Sequence, residues 1–349
     1  MKMVNRSSTS TVATALAVAF LGFGFHAGAQ IAPPRVTEPP APVSTYNSKT
    51  DNLNRTEAGP LTKPIVVEIA KSTYMLNEFG MDTQYLVVGT NRALLIDTGS
   101  GFYDLRGMVE KLTKGLPYDV VLTDSHPDHN GAIGQFDAIY VAPADIGSRE
   151  SKMASQHASR VYGETMWGMP VGYQHIWGYT PADAKWGGWD KHPELKPLAD
   201  GHVFDLGGRK VTTFYAPGHT MGACIYLDEQ SRILFPGDIA KRSQGTGSGT
   251  ASDSLRALLK IQSLRPRFDR LYSAHNQYPG VLDVMSQDPQ VLDDLIEDYR
   301  EILRGTATYK TLQNPIVPEM TETVAVYGWA VVAAHPDKLW VPGEPHIVP

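Results

Sequence analysis

The chain has 349 residues, 42% of them hydrophobic and 19% charged. This is a globular composition with enough apolar residues to bury a substantial core, in one large domain or two ordinary ones. The formal charge of −6 is modest and no Lys/Arg-rich block occurs, so nucleic acid and anionic membrane surfaces find no electrostatic handle and a small molecule is the expected partner.

Lys2 and Arg6 precede an apolar run from Val12 to Phe25, and Ala27-Gly28-Ala29 then presents small residues to a signal peptidase. Residues 1–29 are therefore predicted to be a secretory signal, which places the mature chain in the periplasm or outside the cell. A membrane anchor is the alternative, but a run of roughly 14 apolar residues falls short of the ~20 that span a bilayer. Loss of Lys2 and Arg6 takes the formal charge from −6 to −8. Cys224 is the only cysteine, so no internal disulfide can form despite an oxidising destination. Residues 30–63 are Pro-rich with little apolar periodicity and read as an extended arm or linker.

The folded domain is predicted over residues 64–349, opening with the strand "IVVEIA". Two short apolar runs, "TQYLVVG" and "RALLIDTG", are separated by Thr90-Asn91, a hairpin signal. In "YDLRGMVEKLTKGL", Leu105, Met108, Val109 and Leu112 recur at helical spacing and Gly115 ends the run. The strands "YDVVLTD" and "FDAIYVA" follow, then an insertion at 149–200, then "KVTTFYA" and "CIYLDEQSRILFPGD". A C-terminal extension, 281–349, contributes the helix "PQVLDDLIEDYREILRG" and the run "VAVYGWAVV". Hairpins mixed with crossover helices indicate an α/β sandwich with mixed sheets. Such folds carry their chemistry on loops at strand C-termini.

One such loop, "VLTDSHPDHNGA", crowds Asp124, His126, Asp128 and His129 directly after an apolar strand. Three further polar residues end apolar runs: His219 in "YAPGHTMGA", Asp238 in "ILFPGDIA" and His275 in "LYSAHNQ". Imidazole and carboxylate are the nitrogen and oxygen ligands of zinc, and an open coordination position makes such a site catalytic. Taken singly, a histidine after a strand is more often structural, and an aspartate there is commonly a cap or turn residue.

In their order these segments, with Asp97 of "LLIDTG", resemble the metallo-β-lactamase superfamily over Ile65 to Pro279. The resemblance implies a four-layer αββα sandwich of two mixed β-sheets with two divalent metal ions at one edge, zinc above all, with iron or manganese as alternatives. It implies one ion held by Asp124, His126 and His219, another by Asp128, His129 and His275, and Asp238 bridging them. Asp97 would fix the metal loop by hydrogen bonds without touching metal. The family pattern His-x-His-x-Asp-His departs here to Asp-x-His-x-Asp-His at Asp124. That residue is read as a ligand, the alternatives being a weakly occupied first site or a residue that only hydrogen-bonds a ligand.

Metal-assisted hydrolysis is the implied reaction: two ions share a water, lower its pKa to give a hydroxide nucleophile, and polarise the substrate carbonyl. Asp128 and Asp238 are the candidate catalytic residues, Asp128 also orienting the hydroxide. Cys224, in "GACIYL", reads as core. A carboxyl ester, lactone or β-lactam is the expected substrate, since export argues against glyoxalase-type thioester chemistry. The alternatives are a phosphoric or sulfuric ester, for which Lys241-Arg242 is the only local support, and a mononuclear iron oxidoreductase or non-hydrolytic metal-binding protein. Trp167, Tyr173, Trp177, Trp186 and Trp189, on the Gly-rich insertion, form a candidate substrate pocket or lid, or else a subsidiary core. The insertion and the N-terminal arm are the segments available for homo-oligomer contacts.

Overall fold

A computed structural model of the protein describes residues 65–78, 82–101, 103–146, 192–275, 286–313 and 321–349. Segments 1–29 and 30–63 lie outside these, as does most of the insertion with Trp167, Tyr173, Trp177, Trp186 and Trp189.

Seven strands lie side by side in chain order: β1 (Ile65–Ala70), β2 (Thr73–Glu78), β3 (Asp82–Val88), β4 (Ala93–Ile96), β5 (Tyr118–Val121), β6 (Ala138–Val141) and β7 (Glu194–Pro197). The first four are antiparallel, and β3 turns into β4 at Thr90-Asn91, closed by Gly89 N donating to Arg92 O at 2.9 Å. From β4 onward the pairing is parallel, so each connection must cross over the sheet. The first crossover is helix α1 (Leu105–Thr113), started by the Asp104 carboxylate accepting from Gly107 N at 2.8 Å and stopped at Lys114 in the left-handed region. The insertion is the crossover from β6 to β7, so its last residues belong to the sheet. The sequence bound of 200 runs too far because β7 is a polar, half-exposed edge strand without an apolar signature.

The second sheet has the order β13-β11-β10-β9-β8, built from β8 (Val203–Asp205), β9 (Lys210–Tyr215), β10 (Cys224–Asp228), β11 (Ile233–Phe235) and β13 (Arg270–Leu271). Strand period two sorts its side chains: Cys224, Tyr226, Ile233 and Phe235 face Leu94, Ile96 and Val121 of the first sheet, while Ile225, Leu227 and Leu234 face the helices. Those helices are α3 (Ala251–Ser263), entered through a Thr250–Asp253 capping box, and α4 (Gln290–Arg304). On the far side Leu105 and Val109 of α1 pack on Ala93 and Leu95. Helix, sheet, sheet, helix is the expected four-layer order.

Beyond the two expected sheets there is a third, of order β12-β16-β15-β14, from β12 (Ser243–Gly245), β14 (Tyr309–Gln313), β15 (Thr321–Tyr327) and β16 (Ala330–Ala333). "VAVYGWAVV" is its hairpin. Its partner β12, "SQG", is too short and polar to announce itself as a strand.

Asp298 of α4 is fully buried, and neither carboxylate oxygen has a hydrogen-bond partner among the described residues. Burial first, then the charges of Glu301 and Asp294, push its pKa up to about 8. The folded state thus holds a proton that the unfolded state releases near pH 4, and stability falls as pH rises from there through 8. Asp298→Asn is expected to match the parent at pH 4 and to exceed it by roughly 1–3 kcal/mol at pH 9 in paired denaturant titrations; an equal difference at both pH values would contradict the buried neutral carboxyl.

Candidate metal centre

β4 ends at Ile96, and the next residue, Asp97, adopts φ 64°, which turns its carboxylate back across the neighbouring strand end. Asp97 Oδ1 accepts from Thr123 N and Oδ2 from Thr123 Oγ1, each at 2.6 Å, and Oδ2 accepts from His129 Nδ1 at 3.1 Å. A proton held on Nδ1 leaves His129 Nε2 with its lone pair pointing away from Asp97. The loop after β5 continues into a single helical turn, α2 (Pro127–Asn130), which Pro127 starts and Asn130 Nδ2 ties back to Ser125 O at 2.6 Å. Thr98 N and Oγ1 both donate to His129 O, at 2.7 and 2.9 Å. Gly131 must be glycine: a Cβ there would lie 2.3 Å from Ser100 O, where the two loops press together.

Three other strand ends complete the cluster. Asp238 follows β11, His275 follows β13, and His219 lies in the turn between β9 and β10. The potential donor atoms of Asp124, His126 and His219 lie within 4.8 Å of one another, and so do those of Asp128, His129 and His275. Asp238 stands between the groups, Oδ1 3.2 Å from His275 Nε2 and 3.7 Å from His129 Nε2, Oδ2 3.5 Å from His219 Nε2. Asp124 Oδ1 accepts from His126 N at 2.8 Å, which leaves Oδ2 facing His126 Nδ1 at 3.6 Å and His219 Nε2 at 4.0 Å. His219 donates from Nδ1 to Gly245 O at 3.1 Å, so its Nε2 also faces inward as a lone-pair donor. Asp97 belongs to neither group.

Burial and charge compete here. Burial opposes protonation of His129, but the carboxylates of Asp124, Asp97 and Asp128 overcome it and raise its pKa well above the usual range. His275, likewise disfavoured by burial, is lifted to about 9 by Asp238 and Asp128. Burial alone dominates at His219 and takes it down to about 4. Burial works against ionising Asp238 too, yet the positive charges of His275 and Lys241 hold it well below the ordinary carboxylate range. Among the described residues, His129 Nε2 and Asp238 Oδ1 are buried without a well-aligned hydrogen-bond partner. Four buried carboxylates and inward-facing imidazole lone pairs therefore fit divalent cations, which meet the same charge demand that otherwise draws protons onto His129 and His275.

Several participants carry no motif of their own. Thr123 is one of many threonines beside a strand. Lys241 is buried and donates to Asp238 Oδ2 at 2.5 Å. A further buried network underlies Gly99: Gln84 Nε2 and Ser100 Oγ donate to the two oxygens of Asp82 at 2.7 and 2.5 Å, and Ser100 N donates to Glu78 Oε2 at 2.7 Å. Polar residues where β2 ends and β3 begins, Glu78, Asp82 and Gln84, beside apolar strand interiors, were its one available signal. Arg242 lies over the Trp329 ring at 4.5 Å and donates from Nε to Trp329 O. Cys224 is buried in β10 with its thiol pKa raised by burial, an inert core residue.

With this geometry the chain belongs to the metallo-β-lactamase superfamily, whose profile matches residues 78–275. Among curated relatives it is 27% identical over 221 residues to an atrochrysone carboxyl ACP thioesterase of Aspergillus fumigatus, covering 60% of this chain and 54% of that one. It is 27% identical over 201 residues to a hydroxyacylglutathione hydrolase of Maricaulis maris, covering 52% and 75%. The chain thus spans about half the length of the fungal thioesterase. A solved structure, DIM-1 metallo-β-lactamase, aligns at 14% identity and TM-score 0.48 over 69% of this chain and 98% of that one.

Metal ligands must be deprotonated to bind. Because the surrounding carboxylates raise the pKa of His129 and His275 above the ordinary imidazole range, zinc uptake at pH 7 is expected to release protons, read as a dependence of the calorimetric heat on buffer ionisation enthalpy. Heats identical in phosphate and Tris would contradict this.

Proposed function

We propose that the protein is an exported hydrolase that uses two divalent metal ions, zinc by preference, to cleave an acyl bond of a carboxylic acid derivative. The observation that carries this reading is the pair of three-residue donor groups facing each other across Asp238. Two ions so held would activate a shared water and polarise the scissile carbonyl. Asp128, kept anionic against its burial by His129 and His275, can accept a hydrogen bond from the attacking water at Oδ2 and hold it in line. Asp238 keeps its two oxygens apart, one towards each group. Lys241 supports that carboxylate's charge from the side, and Asp97 with Thr123 keeps the His129 ring from turning.

The substrate class is drawn from ester, lactone, β-lactam and, through the relatives, thioester. The expectation against thioesters rests entirely on export, which is read from residues 1–29, and one of the similar proteins is named a thioesterase and another a hydroxyacylglutathione hydrolase. A phosphoric or sulfuric ester finds less support, because Lys241 points at Asp238 and Arg242 at Trp329. Zinc-loaded protein is expected to hydrolyse at least one of a nitrophenyl ester, a lactone, nitrocefin or an acyl thioester faster than bis-nitrophenyl phosphate. Turnover of the phosphate alone, or a redox activity with bound iron in place of any hydrolysis, would contradict the reading.

Elemental analysis is expected to give two divalent ions per chain in the parent and in Asp124→His, and about one in Asp124→Ala. Asp238→Ala and His129→Ala should remain folded and lose at least roughly 100-fold in kcat. Two ions and full activity in Asp124→Ala would make Asp124 a residue that only hydrogen-bonds a ligand.

A further inference from the structure

The two inward-facing histidines of known ring orientation are held by different parts of the fold. His129 is held by Asp97, at the end of β4 in the first sheet. His219 is held by the carbonyl of Gly245, the last residue of β12. β12 has only three residues and pairs on one side, parallel to β16 (Ser243↔Val331, Gln244↔Val332, Gly245↔Ala333), with Val331 N donating to Arg242 O at 2.9 Å. So short a strand has little hold of its own; its place is set by the β15–β16 hairpin and by Gln287, whose Oε1 accepts from Arg242 N at 3.0 Å.

That hairpin is itself fastened twice. Trp329, in its turn, donates from its backbone N to Asp294 Oδ2 of α4 at 2.9 Å. On the other side the Arg242 guanidinium lies over the Trp329 ring at 4.5 Å and donates from Nε to Trp329 O at 3.1 Å. From Arg242 the contacts run towards the donor groups. Gln244 Nε2 donates to the carbonyls of Asp238 and Ile239, at 3.1 and 2.5 Å. Past β12 the chain closes on His219: Ser248 N donates to His219 O at 2.9 Å. Gly247, at φ 57°, passes so close that a Cβ would lie 2.2 Å from His219 O and 2.8 Å from its Nδ1. A small displacement of this loop would remove the acceptor that fixes the imidazole.

We propose that the Trp329–Arg242 clasp is a positioning device for His219, so that the C-terminal hairpin orients the first donor group, Asp124, His126 and His219, more than the second. Arg242 and Trp329 are positioning residues, acting through β12 without touching substrate or metal. The inference rests on the proposed metal centre and extends it to a segment beyond the 78–275 stretch that matches the family.

The test uses the full mature chain loaded with cobalt(II), with Trp329→Ala, Trp329→Phe and Arg242→Gln compared to the parent. Trp329 and Arg242 are only partly buried, and circular dichroism checks that each variant folds. In the parent, two cobalt ions should bind, and the hydrogen-bonded Nδ1–H protons of His129 and His219 should give paramagnetically shifted resonances protected from exchange, the second of which should disappear in His219→Asn. Trp329→Ala and Arg242→Gln should weaken one cobalt ion 10–100-fold, leave the other within about threefold, and broaden the His219 resonance while that of His129 persists. Trp329→Phe should restore both. A lower Tm with unchanged cobalt affinities and resonances would reduce the clasp to a stabilising contact and overturn the proposal, and so would equal weakening of both ions. A parent that binds no cobalt would overturn the metal reading and this inference with it. Arg242→Gln keeps the hairpin's apolar packing and decides the matter should Trp329→Ala not fold.

Discussion

Asp97, Asp124, Asp128 and Asp238 are buried around one small volume, with His129, His219 and His275 turned into it. Burying several carboxylates together is costly unless their charge is met by hydrogen bonds and positive partners, and the cost would otherwise exceed the few kcal/mol of net stability a domain has to spare. The surrounding structure is arranged to tolerate that cost. Each side chain leaves a strand end or tight turn, so its backbone is already anchored by a sheet. The rings that face inward are oriented from behind by Asp97 or by the Gly245 carbonyl. Positive charge is supplied from the side by Lys241. Divalent cations would complete the balance, and the proposed hydrolysis would follow from concentrating their charge at this strand-end loop cluster.

The same constraint explains the asymmetry between the two halves of the site. Asp128 and His129 of the second donor group sit at the end of a loop that Asp97, Thr98 and Thr123 brace within the αββα core. The first depends on Asp124, whose carboxylate is shorter than an imidazole, and on His219, whose acceptor belongs to an edge strand of a third sheet. A carboxylate at position 124 also adds negative charge where the helper elements are fewest. Loss of metal affinity through distant substitutions should therefore concentrate in the first group.

Much of this was legible in the chain because strand termini announce themselves: apolar runs stop abruptly at Asp124, Asp238 and His275, and period-two alternation separates the faces of β10 and β11. The Thr90-Asn91 hairpin and helices α1 and α4 were readable for similar local reasons. What escaped reading depends on partners far apart in sequence. β12 is a strand only because β16, nearly ninety residues later, pairs with it. Lys241 and Arg242 look alike as neighbouring cations, yet one points into the site and the other out onto Trp329. Helix α3 was missed although Thr250 and Asp253 form a capping box, because a long Gly/Ser-rich lead-in masks its start.

The most direct test is anomalous scattering at the zinc edge from crystals of the zinc-loaded protein. Two peaks are expected, one among Asp124, His126 and His219 and one among Asp128, His129 and His275, with the Asp238 carboxylate between them. A single peak, or zinc lodged away from these residues, would contradict the two-metal centre on which the hydrolytic reading stands.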